Sequence, residues 1–91
     1  MIELITISQA NQMWYLNKVY VNPNHVVMIT NAETFDNMLK EGKIDLALDK
    51  NISFSEVKMN PVTGYDKFIV VGSPSVIMEK MNKNTKQLLK G

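Results

Sequence analysis

The sequence predicts an α+β fold: a mainly antiparallel sheet of about six short strands, in the order βββαβββα, with two short helices packed on it. Three observations lead there. Short runs rich in β-branched and aromatic residues recur along the chain, as suits pleated, half-buried strands. Turn residues separate them at Asn22-Pro23-Asn24, Asp49-Lys50-Asn51 and Asn60-Pro61-Val62-Thr63-Gly64. Two segments carry helix-start signals, Thr30-Asn31-Ala32-Glu33 and Gly72-Ser73-Pro74.

The elements follow in order. Residues 2–7 alternate as I-E-L-I-T-I and predict a first strand, with a polar connection over residues 8–12. Residues 13–21, MWYLNKVYV, predict a second strand. Residues 25–30, HVVMIT, return after the Asn-Pro-Asn turn as a third, so the second and third are expected to form an antiparallel hairpin. Thr30 and Glu33 fit a capping box opening a helix that carries Phe35, Met38 and Leu39 on one face and ends at Gly42, with Lys40 in its last turn. Residues 44–48, I-D-L-A-L, alternate as a fourth strand. In residues 52–59, Ile52 and Phe54 share one phase and Val57 and Met59 the other, which predicts a bulge or break near Ser55. Phe68, Ile69, Val70 and Val71 form the sixth strand. Gly72 ends it, Ser73 offers a hydroxyl to the free amides of a helix start, and Pro74 stands where a missing N–H costs nothing. The final helix carries Val76, Ile77, Met78 and Met81, with residues 84–91 as a frayed tail.

The chain of 91 residues makes one domain, 1–91, with a modest core. There is no cysteine, which removes disulfides, thiolate nucleophiles and zinc-thiolate sites, and the single histidine, His25, cannot build a histidine metal cage. No apolar run reaches the ~20 residues of a membrane span, and the amino-terminal stretch has Glu3 and no basic region, so a cytoplasmic location and no membrane partner are expected. Asp45, Asp49 and Asn51 lack the spacing and closing glutamate of a calcium loop. No metal site, no cofactor and no catalytic residue is implied; His25 has no nucleophile paired to it in the sequence.

The net charge of +1 is unevenly spread. Residues 1–66 hold five lysines against eight acids, −3, and residues 67–91 hold five lysines against one acid, +4. Lys80, Lys83, Lys86 and Lys90 therefore make the final helix a candidate surface for an acidic partner, nucleic acid included. The chain has no arginine, the usual residue for bidentate base and phosphate contacts, which weighs against sequence-specific reading of DNA. Trp14 and Tyr20 share one phase of the second strand and Tyr15 the other, so one set is expected in the core and the other as a partner-binding patch. Amides at Gly72, Ser73 and Ser75 are a minor candidate for holding an anion, the ordinary cap being favoured because no Gly-rich phosphate motif accompanies them.

The segments MIEL, LNKVYVNPNHVVMI and FIVVGSPSVIMEKM resemble the small FlbD-like proteins, which occur in flagellar gene clusters and have similar short counterparts in phage genomes. The shared pattern is an opening strand, a hairpin with an Asn-Pro-Asp type of turn, a strand ending in V-x-x-S and a short final helix. The resemblance covers residues 2–30 and 54–82 and leaves 31–53 as an insertion. It implies a small non-enzymatic protein and supplies no catalytic residue. By elimination, the expected function is protein–protein interaction: a phage-encoded adaptor, or an inhibitor of a larger host protein, acting in the host cytoplasm and able to self-associate. The alternative is a nucleic-acid-binding module using the lysine-rich final helix.

Overall fold

The α+β expectation holds: the computed structural model shows one antiparallel five-stranded sheet and two helices. It describes residues 1–64 and 66–90, with side chains through Lys83. The strands are β1 (Ile2–Ala10), β2 (Met13–Val21), β3 (Val26–Asn31), β4 (Phe54–Met59) and β5 (Lys67–Val71). Helix α1 (Glu33–Lys40) lies between β3 and β4, and α2 (Pro74–Lys90) follows β5. The spatial order is β2-β1-β5-β4-β3.

That order corrects the expected pairing of the second and third strands. β2 pairs with β1 from Ile2↔Val21 to Ala10↔Met13, and β3 pairs with β4. The connection of residues 8–12 shrinks to a two-residue turn, Asn11 and Gln12, both at positive φ (53° and 66°). Paired positive φ values give a tight turn the twist that flanking strands need. Asn22-Pro23-Asn24 instead caps a 3-10 turn, Pro23–His25, in which the Asn22 side chain accepts from the Asn24 amide.

β2 and β3 are thus neighbours in sequence and opposite edges in space. Five residue steps, partly 3-10 helix, separate Val21 from Val26, a reach of about 15 Å. Four strand spacings of a flat sheet would need about 19 Å. The sheet is therefore far from flat, twisted and coiled enough to bring Val21 and Val26 within that reach.

Both faces are covered, by different helices. On the α2 face, Ile2, Leu4, Val21, Val57, Met59 and Val70 surround Ile77. On the α1 face, Ile7 and Phe54 pack with Ala32, Leu39 and Ile44. Each of these side chains except the small Ala32 contributes about 1.5–3 kcal/mol by leaving water. The phase slip in residues 52–59 is explained by this two-sided burial. β4 runs without a break against β5, from Phe54↔Val71 to Lys58↔Lys67; Phe54 faces α1 while Val57 and Met59 face α2. The bulge falls on β3, between Val26 and Met28.

Two further elements differ from expectation. Residues 44–48 form no strand; Ile44 is buried and Leu46 and Leu48 pack against the α1 cluster. The alternation there records burial along a bent crossing, in which the Leu48 amide donates to the Leu46 carbonyl at 2.8 Å, with no ladder beside it. Thr30 does not cap α1. It lies in β3, and the cap position is Ala32, whose amide donates to the Phe54 carbonyl at 3.0 Å. Gly42 does follow the helix at positive φ (76°), as a glycine beyond a helix end commonly does. The methionines are divided: Met59 is buried, Met38 and Met81 half-buried, and Met28 and Met78 exposed.

Candidate interaction surface

β2 is nine residues long, and among the described residues one of its sides carries no strand. Its register shows which peptide groups face outward. In the two-residue turn the Ala10 carbonyl is the acceptor for the Met13 amide. Antiparallel ladders alternate hydrogen-bonded and non-hydrogen-bonded pairs. Met13, Tyr15, Asn17, Val19 and Val21 therefore bond to β1, and Trp14, Leu16, Lys18 and Tyr20 turn their N–H and C=O groups outward. The Thr6 hydroxyl donates to the Asn17 carbonyl at 3.1 Å, which places that carbonyl on the β1 side as the alternation requires.

The side chains along this edge are mostly apolar and exposed. Met13, Tyr15, Leu16 and Tyr20 are 60%, 40%, 39% and 63% exposed. Lys18 is the one charge on the strand, 3.8 Å from Glu3 Oε1 on β1. The Tyr20 hydroxyl donates to the same oxygen at 3.1 Å. That hydrogen bond, followed by the repulsion of the Glu3 charge and slight desolvation, raises the Tyr20 pKa above its ordinary 10.0. The other edge, β3, is shorter, six residues, and bulged, and bulges blunt an edge against pairing. β2 has no bulge and no proline.

The aromatic residues do not divide into a core set and a surface set. Trp14 and Tyr20 share the α1 face, yet only Trp14 is covered. Its ring meets Phe35 edge-on at 6.1 Å and its indole N–H donates to the Lys43 carbonyl at 3.2 Å. The covering segment ends before Tyr20 and leaves that ring in solvent. Tyr15 lies on the α2 face, and its hydroxyl donates to the Met13 sulfur at 3.7 Å.

Where β2 runs into the 3-10 turn, a hollow of about 520 Å³ opens, its apolar walls including Val19 and Val21 of β2, Met59 of β4 and Phe68 of β5. His25 and Thr63 stand at the same hollow. Side chains of β2 and of β4 and β5 meet across it because the sheet is twisted and coiled. The volume is in the range of ligand pockets, but among the described residues no group of three His, Asp or Glu side chains gathers to hold a metal.

The remaining candidates lie elsewhere. Lys80 and Lys83 are exposed on α2, and Lys83 is 3.6 Å from Glu79 one turn back. Lys86 and Lys90 lie outside the residues whose side chains are described. At the start of α2 the Ser73 hydroxyl takes the Val76 amide at 3.4 Å and stands 3.1 Å from the Ser75 hydroxyl, so the cap is made internally. Gly72 is held by the residue just before β4, its amide donating to the Ser53 carbonyl at 2.8 Å. The outward peptides of β2 were missed in the sequence. The Asn-Gln turn that sets their phase lacks the glycine by which such turns are usually recognised.

No family model matches the chain, nor does any curated protein or solved structure. Among the described residues, no helix is long and apolar enough to cross a membrane.

Proposed function

We propose that the chain is a small, non-enzymatic protein-binding module that docks by pairing an extended segment of its partner with β2. The observation that carries this reading is the row of outward peptide groups at Trp14, Leu16, Lys18 and Tyr20, beside exposed Met13, Tyr15, Leu16 and Tyr20. Strand addition draws affinity from main-chain hydrogen bonds and specificity from alternate side chains. The partner segment is extended and apolar on both faces, to match Met13 and Tyr15 on one face and Leu16 and Tyr20 on the other. An adaptor or inhibitor role fits such a surface. The lysines of α2 favour the nucleic-acid alternative less, because Lys83 is already beside Glu79 and phosphate binding is better served by arginine.

The test is Leu16→Pro. Leu16 does not bond to β1, so proline there removes an outward donor and leaves the β1 ladder whole. Peptides are selected from a random library on the unaltered chain and then measured on the variant. The reading expects extended peptides, apolar on both faces, whose affinity falls at least about tenfold, or 1.4 kcal/mol, in a variant that keeps the folded circular-dichroism spectrum. Equal affinity for both chains would refute it.

A further inference from the structure

We propose that the segment docking on β2 is the β2 strand of a second copy of this chain, antiparallel to the first about a two-fold axis at Asn17. This rests on the reading of β2 as the docking edge and names its partner.

Self-complementarity carries the argument. An incoming strand bonds to β2 only if its own outward residues stand opposite Trp14, Leu16, Lys18 and Tyr20. Two copies of β2 centred on Asn17 meet that condition along their whole length. Trp14 faces Tyr20 and Leu16 faces Lys18, each pair exchanging both backbone bonds, with every relation repeated by symmetry. A slip of one residue sets outward groups against inward ones. A slip of two in one direction opposes Lys18 to Lys18, and like charges directly opposite each other destabilise. A slip of two in the other direction leaves Tyr20 without a partner on the strand. Only the Asn17 register uses all four outward residues and separates the lysines.

The same register accounts for the apolar exposure. On the α2 face, Met13 of the second copy stands opposite Val21, and Tyr15 of the second copy opposite Val19. Val19 and Val21 are walls of the 520 Å³ hollow, so two exposed apolar side chains are brought beside that apolar recess. At the axis, Asn17 meets Asn17. A carboxamide carries both donor and acceptor and can pair with itself, as an asparagine does in the seam of a coiled coil whose register it fixes.

The experiment is directed oxidation. The chain has no cysteine, so an introduced thiol is the only one. Asn17→Cys puts two thiols on a non-hydrogen-bonded pair with Cα atoms about 4.5 Å apart, within disulfide range. Leu16→Cys serves as control, since its Cα lies about 8 Å from its copy by the strand geometry, too far to bridge. The proposal expects near-complete covalent dimer for Asn17→Cys under mild oxidation, little for Leu16→Cys, and twice the monomer mass for the unaltered chain by sedimentation equilibrium. A monomeric unaltered chain, or equal crosslinking of the two variants, overturns it. If the chain is monomeric while library peptides still bind and Leu16→Pro abolishes that binding, self-pairing fails and the docking edge stands. If Leu16→Pro affects neither dimer nor peptide, both fail.

Discussion

The Ser55 hydroxyl donates to the Gly72 carbonyl at 2.6 Å, and Ser55 is wholly buried. The Gly72 amide in turn donates to the Ser53 carbonyl. Ser55 of β4 and Ser53 just before it thus hold both peptide groups of Gly72 and fix where α2 leaves the sheet. Ser55→Ala should lower the unfolding free energy by about 1 kcal/mol, because it removes a hydrogen bond to a half-buried carbonyl. Urea denaturation followed by circular dichroism measures this; an unchanged midpoint would show that the hydrogen bond contributes nothing.

Gly72 itself has φ 122°, a conformation that residues with a side chain rarely adopt, and an added Cβ would lie 3.3 Å from the Ile77 Cδ1 atom. Gly72→Ala should therefore cost about 1–3 kcal/mol from backbone strain alone, with a further loss as Ile77 shifts. The check is the unfolding midpoint together with the tertiary circular dichroism of the aromatic residues. A variant as stable as the original would mean that the turn relaxes freely.

The start of α2 was legible because Gly72-Ser73-Pro74 acts locally: the Ser73 hydroxyl meets the Val76 amide and Pro74 is the first helical residue. α1 was legible from its apolar spacing, but its cap was not. The chain enters α1 from β3, and the groups at its start are satisfied by β4, with Ala32 donating to the Phe54 carbonyl and the Phe54 amide donating to Asp36 at 2.6 Å. No local pattern encodes a bond between residues 18 apart. Strand pairing failed for a similar reason. Asn22-Pro23-Asn24 is a sound turn, yet β2 is already paired along its length by β1, and β3 finds β4 at the other edge of the sheet. The aromatics of β2 were found, but their exposure depends on how far residues 41–48 reach over one face.

Tyr20 provides a pH-dependent check on the open end of β2. Its pKa is raised by Glu3, so the Tyr20–Glu3 contact is fully present below the ordinary tyrosine value of 10.0 and is lost as pH rises through the higher folded value. In a Tyr15→Phe, Tyr65→Phe background Tyr20 is the only tyrosine. Its absorbance titration should have a midpoint above 10.0, and Glu3→Gln should bring the midpoint down. A midpoint that Glu3→Gln does not move would place Tyr20 away from Glu3 in solution.

If nucleic acid were the partner, the lysines of α2 would bind it through charge, and affinity would be highest at low salt. A fluorescent oligonucleotide should show no binding to this chain even there. Binding abolished by Lys80→Glu and Lys83→Glu would contradict that expectation and move the functional surface to α2.

The central claim is that the outward peptides of β2 are where a strand docks, and residue-resolved hydrogen exchange reads those peptides individually. Amides of Met13, Tyr15, Asn17, Val19 and Val21 bond to β1 and should be protected at every concentration. Amides of Trp14, Leu16, Lys18 and Tyr20 should exchange quickly in dilute protein and become protected as concentration rises, giving an alternating pattern that fades on association. Rapid exchange at those four positions at all concentrations, with bound peptide as well as without, would contradict the account.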